Sequence, residues 1–161
     1  MKIAHDVFAE TNPAFGTFAL VGFCSGYCAV SPIGPLIAIV YLAMPIAMSR
    51  DMEASFSSTN RTTGLLAWIN RYPDVRINLG QRLDASLDIV TESIRLGLLS
   101  EAIVFNEVGG INLGANTLTK AAVSKLPLEP KKVIRRAERL GHWMSKSGSA
   151  SSVFSAFGVT L

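Results

Sequence analysis

A long stretch without charged residues, between Glu10 and Arg50, constrains the fold of this chain more than any other feature. A membrane-spanning helix needs about 20 predominantly apolar residues, and the stretch is long enough to hold one. Glycines and prolines interrupt it, however: Gly16, Gly22, Gly26, Pro32, Gly34, Pro35 and Pro45. Only residues 36–44 are apolar without a break, which suits a buried helix better than a membrane span. We therefore expect a core or a partner interface here, with a membrane-associated helix as the alternative.

Composition favours a large buried surface as well. The chain has 161 residues, of which 49% are hydrophobic and 17% are charged, whereas a soluble domain is about one quarter charged. No small-residue cleavage site follows an apolar N-terminal segment, so we expect no signal peptide and a cytoplasmic protein. The length fits one domain, 1–161. Within it we expect an apolar helical part, 1–72, and a helix–hairpin–helix part, 73–161.

Helix signals are clear in the first half of the chain. Asn12 and Pro13 are typical of a helix cap and a first helical position. Pro45 should kink or end the second helix, and the third should stop before Pro73. The expected helices of this half cover residues 14–29, 35–48 and 62–71.

The second half holds the strongest amphipathic pattern. Apolar residues recur there at helical spacing: Leu83, Leu87, Val90, Ile94 and Leu98. Gly109-Gly110 lies between β-rich segments and predicts a hairpin, and a helix should follow over residues 130–144. The predicted fold is a compact helical domain, mainly α with a small β-hairpin. Its second half is compatible with a winged-helix subdomain.

Residues that could carry catalysis are few. His5 and His142 are the only histidines and lie at opposite ends of the sequence, so no nucleophile–base pair can be proposed. The sequence contains neither a zinc-protease nor a Walker motif. We predict no enzyme activity, no cofactor and no small-molecule substrate.

Two pairs of possible metal ligands are weak candidates. Cys24 and Cys28 share one helical face, but no further cysteine or nearby histidine completes a zinc site, so we expect core residues. Asp84 and Asp88 could share a cation, although such a pair is more often a solvated face. We therefore predict no bound metal.

The segment "KKVIRRAER" is the strongest candidate for a contact surface. Its basic side chains should point outward, opposite an inward face of Val133, Ala137, Leu140 and Met144. Such a stripe can neutralise DNA phosphates, dock an acidic partner, or simply be a solvated helix face. The predicted contact residues are Lys131, Lys132, Arg135, Arg136 and Arg139.

A second set of candidates is apolar. The residues predicted to form either a partner interface or the core are Leu36, Ile39, Val40, Leu42 and Trp143. Trp143 follows His142 and could stack on a base or a partner side chain, or close the last long helix as a partly buried residue.

Five segments occur in the order seen in one known family: "NPAFGTFALVGFCSGY", "GPLIAIVYLAMPIAM", "NRTTGLLAWINRYPD", "RLDASLDIVTESIRLGLLS" and "RAERLGHWMSKSGSASSVFSAFGVTL". With them, the chain resembles the middle component of prokaryotic ABC three-component systems. The small subunit of Lamassu-type defence complexes belongs to that family. The matching positions look structural: Pro13, Pro35, Pro45, Arg61, Gly64, Gly97, Gly141 and Trp143.

The resemblance implies a function that the residues alone do not. Operons of this type encode a large SMC-like ABC ATPase that senses foreign DNA, an effector that is often a nuclease, and a small middle protein. The resemblance implies that this chain is a non-catalytic adaptor between the other two, in an antiviral or anti-plasmid complex that meets DNA. The alternatives are a small winged-helix DNA-binding regulator and a membrane-associated protein.

Overall fold

A computed structural model describes residues 12–160 of the chain. Eight α-helices and one antiparallel hairpin make up this part, so the predicted helical fold with a small hairpin is confirmed. The elements are α1 (Pro13–Cys28), α2 (Ile37–Met48), α3 (Glu53–Phe56), α4 (Leu65–Arg71), α5 (Leu79–Leu99), β1 (Ile103–Phe105), β2 (Ile111–Leu113), α6 (Lys120–Ser124), α7 (Leu128–Lys146) and α8 (Ala150–Ala156). The short helices α3 and α6 were not predicted.

Helix α1 begins where its sequence indicates. The Asn12 side-chain oxygen accepts hydrogen bonds from the backbone N–H groups of Ala14 and Phe15, at 3.0 and 3.4 Å. Pro13 occupies the first helical position, where its missing N–H costs nothing. The predicted cap is thus confirmed.

Helix α2 begins later than predicted but ends where predicted, at Met48. Pro35 precedes the helix, and its carbonyl oxygen accepts a hydrogen bond from the N–H of Ile111. Pro45 lies inside the helix, which nevertheless continues to Met48. All of residues 42–48 are buried, and we attribute the continuation of the helix to this packing, which outweighs the loss of one backbone hydrogen bond at Pro45.

Within residues 12–160, none of the helices combines the length and the apolar character that a membrane span requires.

The central packing pair is α1 against α7. Gly26 lies so close to α7 that a Cβ atom on it would overlap the carbonyl oxygen of Glu138. On the other helix, a Cβ atom on Gly141 would overlap the carbonyl oxygen of Phe23. Glycine is therefore required on both helices for their backbones to approach this closely.

Helix α5 packs on α1 through a face that differs from the predicted stripe. Val90 and Ile94 are buried as expected, but Leu87 is 48% exposed. The buried face instead includes the small residues Ser93 and Gly97, which allow close contact with α1. The hydroxyl of Thr17 on α1 donates a 3.0 Å hydrogen bond to the Ser93 carbonyl oxygen.

The hairpin forms around the predicted turn. β1 and β2 pair antiparallel, with Phe105 opposite Ile111, and Gly109 in the turn has a φ of 78°. Leu36, just before α2, forms a further bridge with Gly110 on the other side of β2. The helix–hairpin–helix order predicted for residues 73–161 is present, whereas the winged-helix interpretation stays a prediction.

Candidate interaction surface

Two of the five predicted basic contact residues donate hydrogen bonds into the protein. Arg136 is 7% exposed, and its Nε donates a 3.2 Å hydrogen bond to the carbonyl oxygen of Ala47. Arg139 is half-buried, and its Nη1 donates to the carbonyl oxygen of Phe56 and to the hydroxyl of Thr59, both at 3.0 Å. Burial lowers the pKa of both guanidinium groups. The outward position predicted for Arg136 is wrong, and Arg139 is only partly outward, because residues 47–59 contact this side of α7.

The third residue, Lys132, is partly exposed but paired. Its Nζ lies 3.2 Å from a carboxylate oxygen of Glu53 and 3.5 Å from one of Glu129. The hydrogen bond with Glu53 is the main cause of a raised Lys132 pKa. These two carboxylates offset the positive charge of the lysine locally.

The remaining two residues, Lys131 and Arg135, have solvent-accessible charged groups. Arg135 is exposed and Lys131 is half-exposed, and the structure of residues 12–160 shows no side-chain hydrogen bond or ion pair for either one. They lie one helical turn apart on α7 and therefore share a face. They are the two predicted contact residues whose side chains have no partner among residues 12–160.

Further basic residues extend this face. Arg61, before α4, forms a 3.1 Å ion pair with Glu138. Lys120 at the start of α6 lines a hollow of about 370 Å³ together with Arg135 and Glu138. The charge of Lys146 at the end of α7 acts, with that of Arg61, on His142. We call the exposed set the basic surface: Arg61, Lys120, Lys131, Arg135 and Lys146.

His142 and Trp143 do not present a stacking platform. Trp143 is 1% exposed; its Nε1 donates a 3.0 Å hydrogen bond to the Asn60 carbonyl oxygen, and its ring stacks on Phe56 at 5.8 Å between centroids. Burial, followed by the charges of Arg61 and Lys146, lowers the pKa of His142. The imidazole is therefore harder to protonate than that of a free histidine, and Trp143 belongs to the core.

The apolar candidates divide between core and surface. Ile39, Val40 and Leu42 are at most 1% exposed and lie within the core of this chain. Leu36, in contrast, is 41% exposed.

Other exposed apolar side chains belong to the same loop and to the hairpin. Residues 32–36 lie against β2: the Ile111 N–H donates to Pro35, and the Asn112 amide donates to Pro32. This pairing brings the loop before α2 close to the hairpin. We use the name apolar strip for five exposed apolar residues of this loop, the start of α2 and the hairpin: Ile33, Leu36, Ile37, Phe105 and Val108.

The sequence of this chain matches the model of a known protein family. Over residues 2–161, the chain matches the family model described as ABC-three component (ABC-3C) system Middle Component 3. The chain belongs to this family. No curated protein and no solved structure gives a match. The resemblance drawn from the sequence motifs is thus confirmed at the level of the middle component of ABC three-component systems.

The middle component shows no metal centre in the part of it that the structure describes. Among residues 12–160, no three His, Cys, Asp or Glu side chains converge in a way that could hold an ion. Asp84 and Asp88 are exposed, and burial raises the pKa of the Cys24 and Cys28 thiols. His5 lies outside the described residues.

Local sequence pattern could not have found the whole surface. Arg61 and Lys120 are distant from Arg135 in sequence, and only tertiary structure brings them beside it. The middle component therefore exposes two surfaces of different chemistry, one basic and one apolar.

Proposed function

We propose that this middle component is a non-catalytic adaptor that links an SMC-like ABC ATPase to an effector, often a nuclease. The complex would sense foreign DNA in the prokaryotic cytoplasm and defend against phages or plasmids. Membership in a three-component system supports this proposal, because such a component works together with other proteins. The apolar strip is the structural observation on which the proposal rests.

The strip has the chemistry of a protein interface. Its five side chains are each 37–62% exposed, although the fold has a large core in which such residues could lie. Apolar side chains left exposed on adjoining segments are candidates for protein association, and aromatic residues such as Phe105 are enriched at the centre of interfaces. The strip therefore suits a neighbouring protein subunit.

The described side chains support a non-catalytic role. His142 is poorly placed as a general base, since its Nδ1 is buried and has no hydrogen-bond partner among residues 12–160. The Cys24 thiol is buried and held protonated, so it is a poor nucleophile. The basic surface is the part that we propose to contact DNA or an acidic partner within the complex.

Capture of the tagged chain from its native operon, without detergent, tests the proposal. Mass spectrometry should identify an SMC-like ATPase and an effector with the wild-type protein. Leu36→Asp and Phe105→Asp should retain the fold but recover less than about one tenth of these partners, because a charge would be buried in the interface. Leu66→Asp is the matched control, because Leu66 is 64% exposed on α4, outside the strip. Equal partner recovery from all four proteins would refute the proposed role of the strip.

A further inference from the structure

A hollow of about 260 Å³ lies on the basic surface. Its lining residues are Asn60, Arg61, Arg135, Glu138 and Arg139. Three arginines and one glutamate give the hollow a clear excess of positive charge. All five side chains are polar or charged, in contrast to the apolar strip.

Two hydrogen-bond donors of the hollow, on Arg139 and Asn60, are held in place by neighbouring groups. Arg139 is held by its bonds from Nη1 to Phe56 and Thr59, while its Nε and Nη2 have no hydrogen bond within the described residues. The Asn60 side-chain oxygen accepts from the N–H and hydroxyl of Thr62, which leaves the Asn60 amide N–H₂ free to donate. One guanidinium and one amide are thus positioned in advance of any ligand.

Glu138 already binds Arg61 and would compete with an anionic ligand for it. Its carboxylate lies 3.1 Å from Arg61, but the two side chains are 36% and 57% exposed. An exposed ion pair of this kind is weak, because water and salt screen it. An anion can therefore displace the Glu138 carboxylate from Arg61 without a change in the core.

The lining favours a phosphate group over a protein surface. Guanidinium groups form paired hydrogen bonds to phosphate oxygens, and nucleic-acid interfaces are polar, basic and hydrated. Protein interfaces instead place apolar and aromatic side chains at their centre, and none lines this hollow. Lys120 and Lys131 beside Arg135 extend the positive charge beyond the hollow, as a polymer of phosphates would require.

We propose that this hollow binds a backbone phosphate of nucleic acid, through Arg61, Arg135, Arg139 and the Asn60 amide. Glu138 limits the affinity by occupying Arg61 in the absence of the ligand. The inference rests on the DNA contact that we propose for the complex, and it assigns that contact to a defined site. The ligand chemistry is the phosphodiester group, which DNA and RNA share.

Fluorescence anisotropy of the full-length chain with a labelled DNA duplex tests this site. Arg61→Ala and Arg135→Ala should each weaken binding by about fivefold and lower the slope of log affinity against log salt by about 1. Glu138→Gln should strengthen binding several-fold, because a negative charge leaves the hollow. Arg76→Ala is the charge-matched control: Arg76 is exposed and lies outside the hollow, so its variant should bind like the wild type.

Competitors identify the chemical class of the ligand. Unlabelled duplex DNA should displace the probe, and displacement by duplex RNA would show that the phosphodiester backbone suffices. Poly-glutamate of equal charge should compete at least tenfold less well. The site is refuted if poly-glutamate competes as well as DNA, if Arg76→Ala weakens binding as much as Arg135→Ala, or if the wild type does not bind DNA at low salt. Failure here with intact partner capture would leave the adaptor proposal standing.

Discussion

Arg139 donates a 3.0 Å hydrogen bond from Nη1 to the carbonyl oxygen of Phe56, the last residue of α3. Arg136 makes the same kind of bond to Ala47 in the last turn of α2. The final carbonyl groups of a helix lack intrahelical partners and carry partial negative charge, so a cation satisfies them well. Two arginines of α7 therefore hold the ends of two other helices.

Arg136→Ala should destabilise the protein by about 2 kcal/mol, because it removes a buried charged donor and leaves the Ala47 carbonyl unpaired. Arg135→Ala should change stability by less than about 0.5 kcal/mol, since Arg135 is exposed. Urea unfolding of both variants measures the difference. Equal stability of the two variants would contradict the structural role of Arg136.

Gly26→Ala should destabilise the α1–α7 pair by at least about 2 kcal/mol, because the new methyl group would overlap the Glu138 carbonyl oxygen. Thermal unfolding gives the shift. Without a steric conflict, alanine is the better helix former, by up to about 1 kcal/mol.

Gly80→Ala provides the matched control for that substitution. Gly80 lies in the first turn of α5, and a Cβ atom on it would meet nothing within 4 Å. We expect this variant to be as stable as the wild type, or more so. A destabilised Gly80→Ala together with an unchanged Gly26→Ala would show that the two helices are farther apart than described.

Ile39→Asp should prevent folding, because Ile39 is 1% exposed and an unpaired buried carboxylate costs several kcal/mol. Ile37→Asp should fold, since Ile37 lies on the apolar strip and is 37% exposed. Circular dichroism of the purified variants distinguishes the two. A folded, soluble Ile39→Asp protein would show that the α2 segment is not core.

Acid should weaken the link between Asp51 and α5. The Arg82 guanidinium donates to both carboxylate oxygens of Asp51, at 3.1 and 2.7 Å, and this hydrogen bonding is the main cause of a lowered Asp51 pKa. The unfolded chain has the ordinary carboxyl pKa of about 3.9. The stabilisation is complete above that pH and is lost as the pH falls through the lower, folded pKa.

The thermal unfolding midpoint, measured from pH 6 to pH 2, checks this dependence. The Asp51 side chain is 64% exposed, so its contribution should stay below about 1 kcal/mol. The wild type should lose its advantage over Asp51→Asn as the pH falls below about 4. A constant difference between the two proteins over the whole range would contradict the coupling.

Local chemistry explains which parts of the fold were predictable. The α1 cap, the hairpin turn and the inward face of α7 depend on residues close together in sequence, and their predictions are confirmed. Helix α2 ends at Met48 as predicted, and tertiary packing maintains it across Pro45. The outward position predicted for Arg136, and in part that for Arg139, is wrong because their carbonyl partners lie 83 to 89 residues away in sequence.

The candidate site was predictable only in part, for the same reason. The sequence identified Arg135 and Lys131 from the pattern of one helix. Arg61 and Lys120 join them through tertiary packing, which no local periodicity reports. The apolar strip depends likewise on a bridge between Leu36 and Gly110, two residues far apart in the chain.

We propose above all that this chain joins the ATPase to the effector. The most direct test expresses a tagged ATPase and the effector from the native operon, with and without the middle component, and quantifies the effector captured with the ATPase. We predict that the effector is recovered in a fixed ratio when the wild-type middle component is present. Its recovery should fall at least tenfold when the component is deleted or carries Phe105→Asp. Equal recovery of the effector without the middle component would contradict the adaptor function.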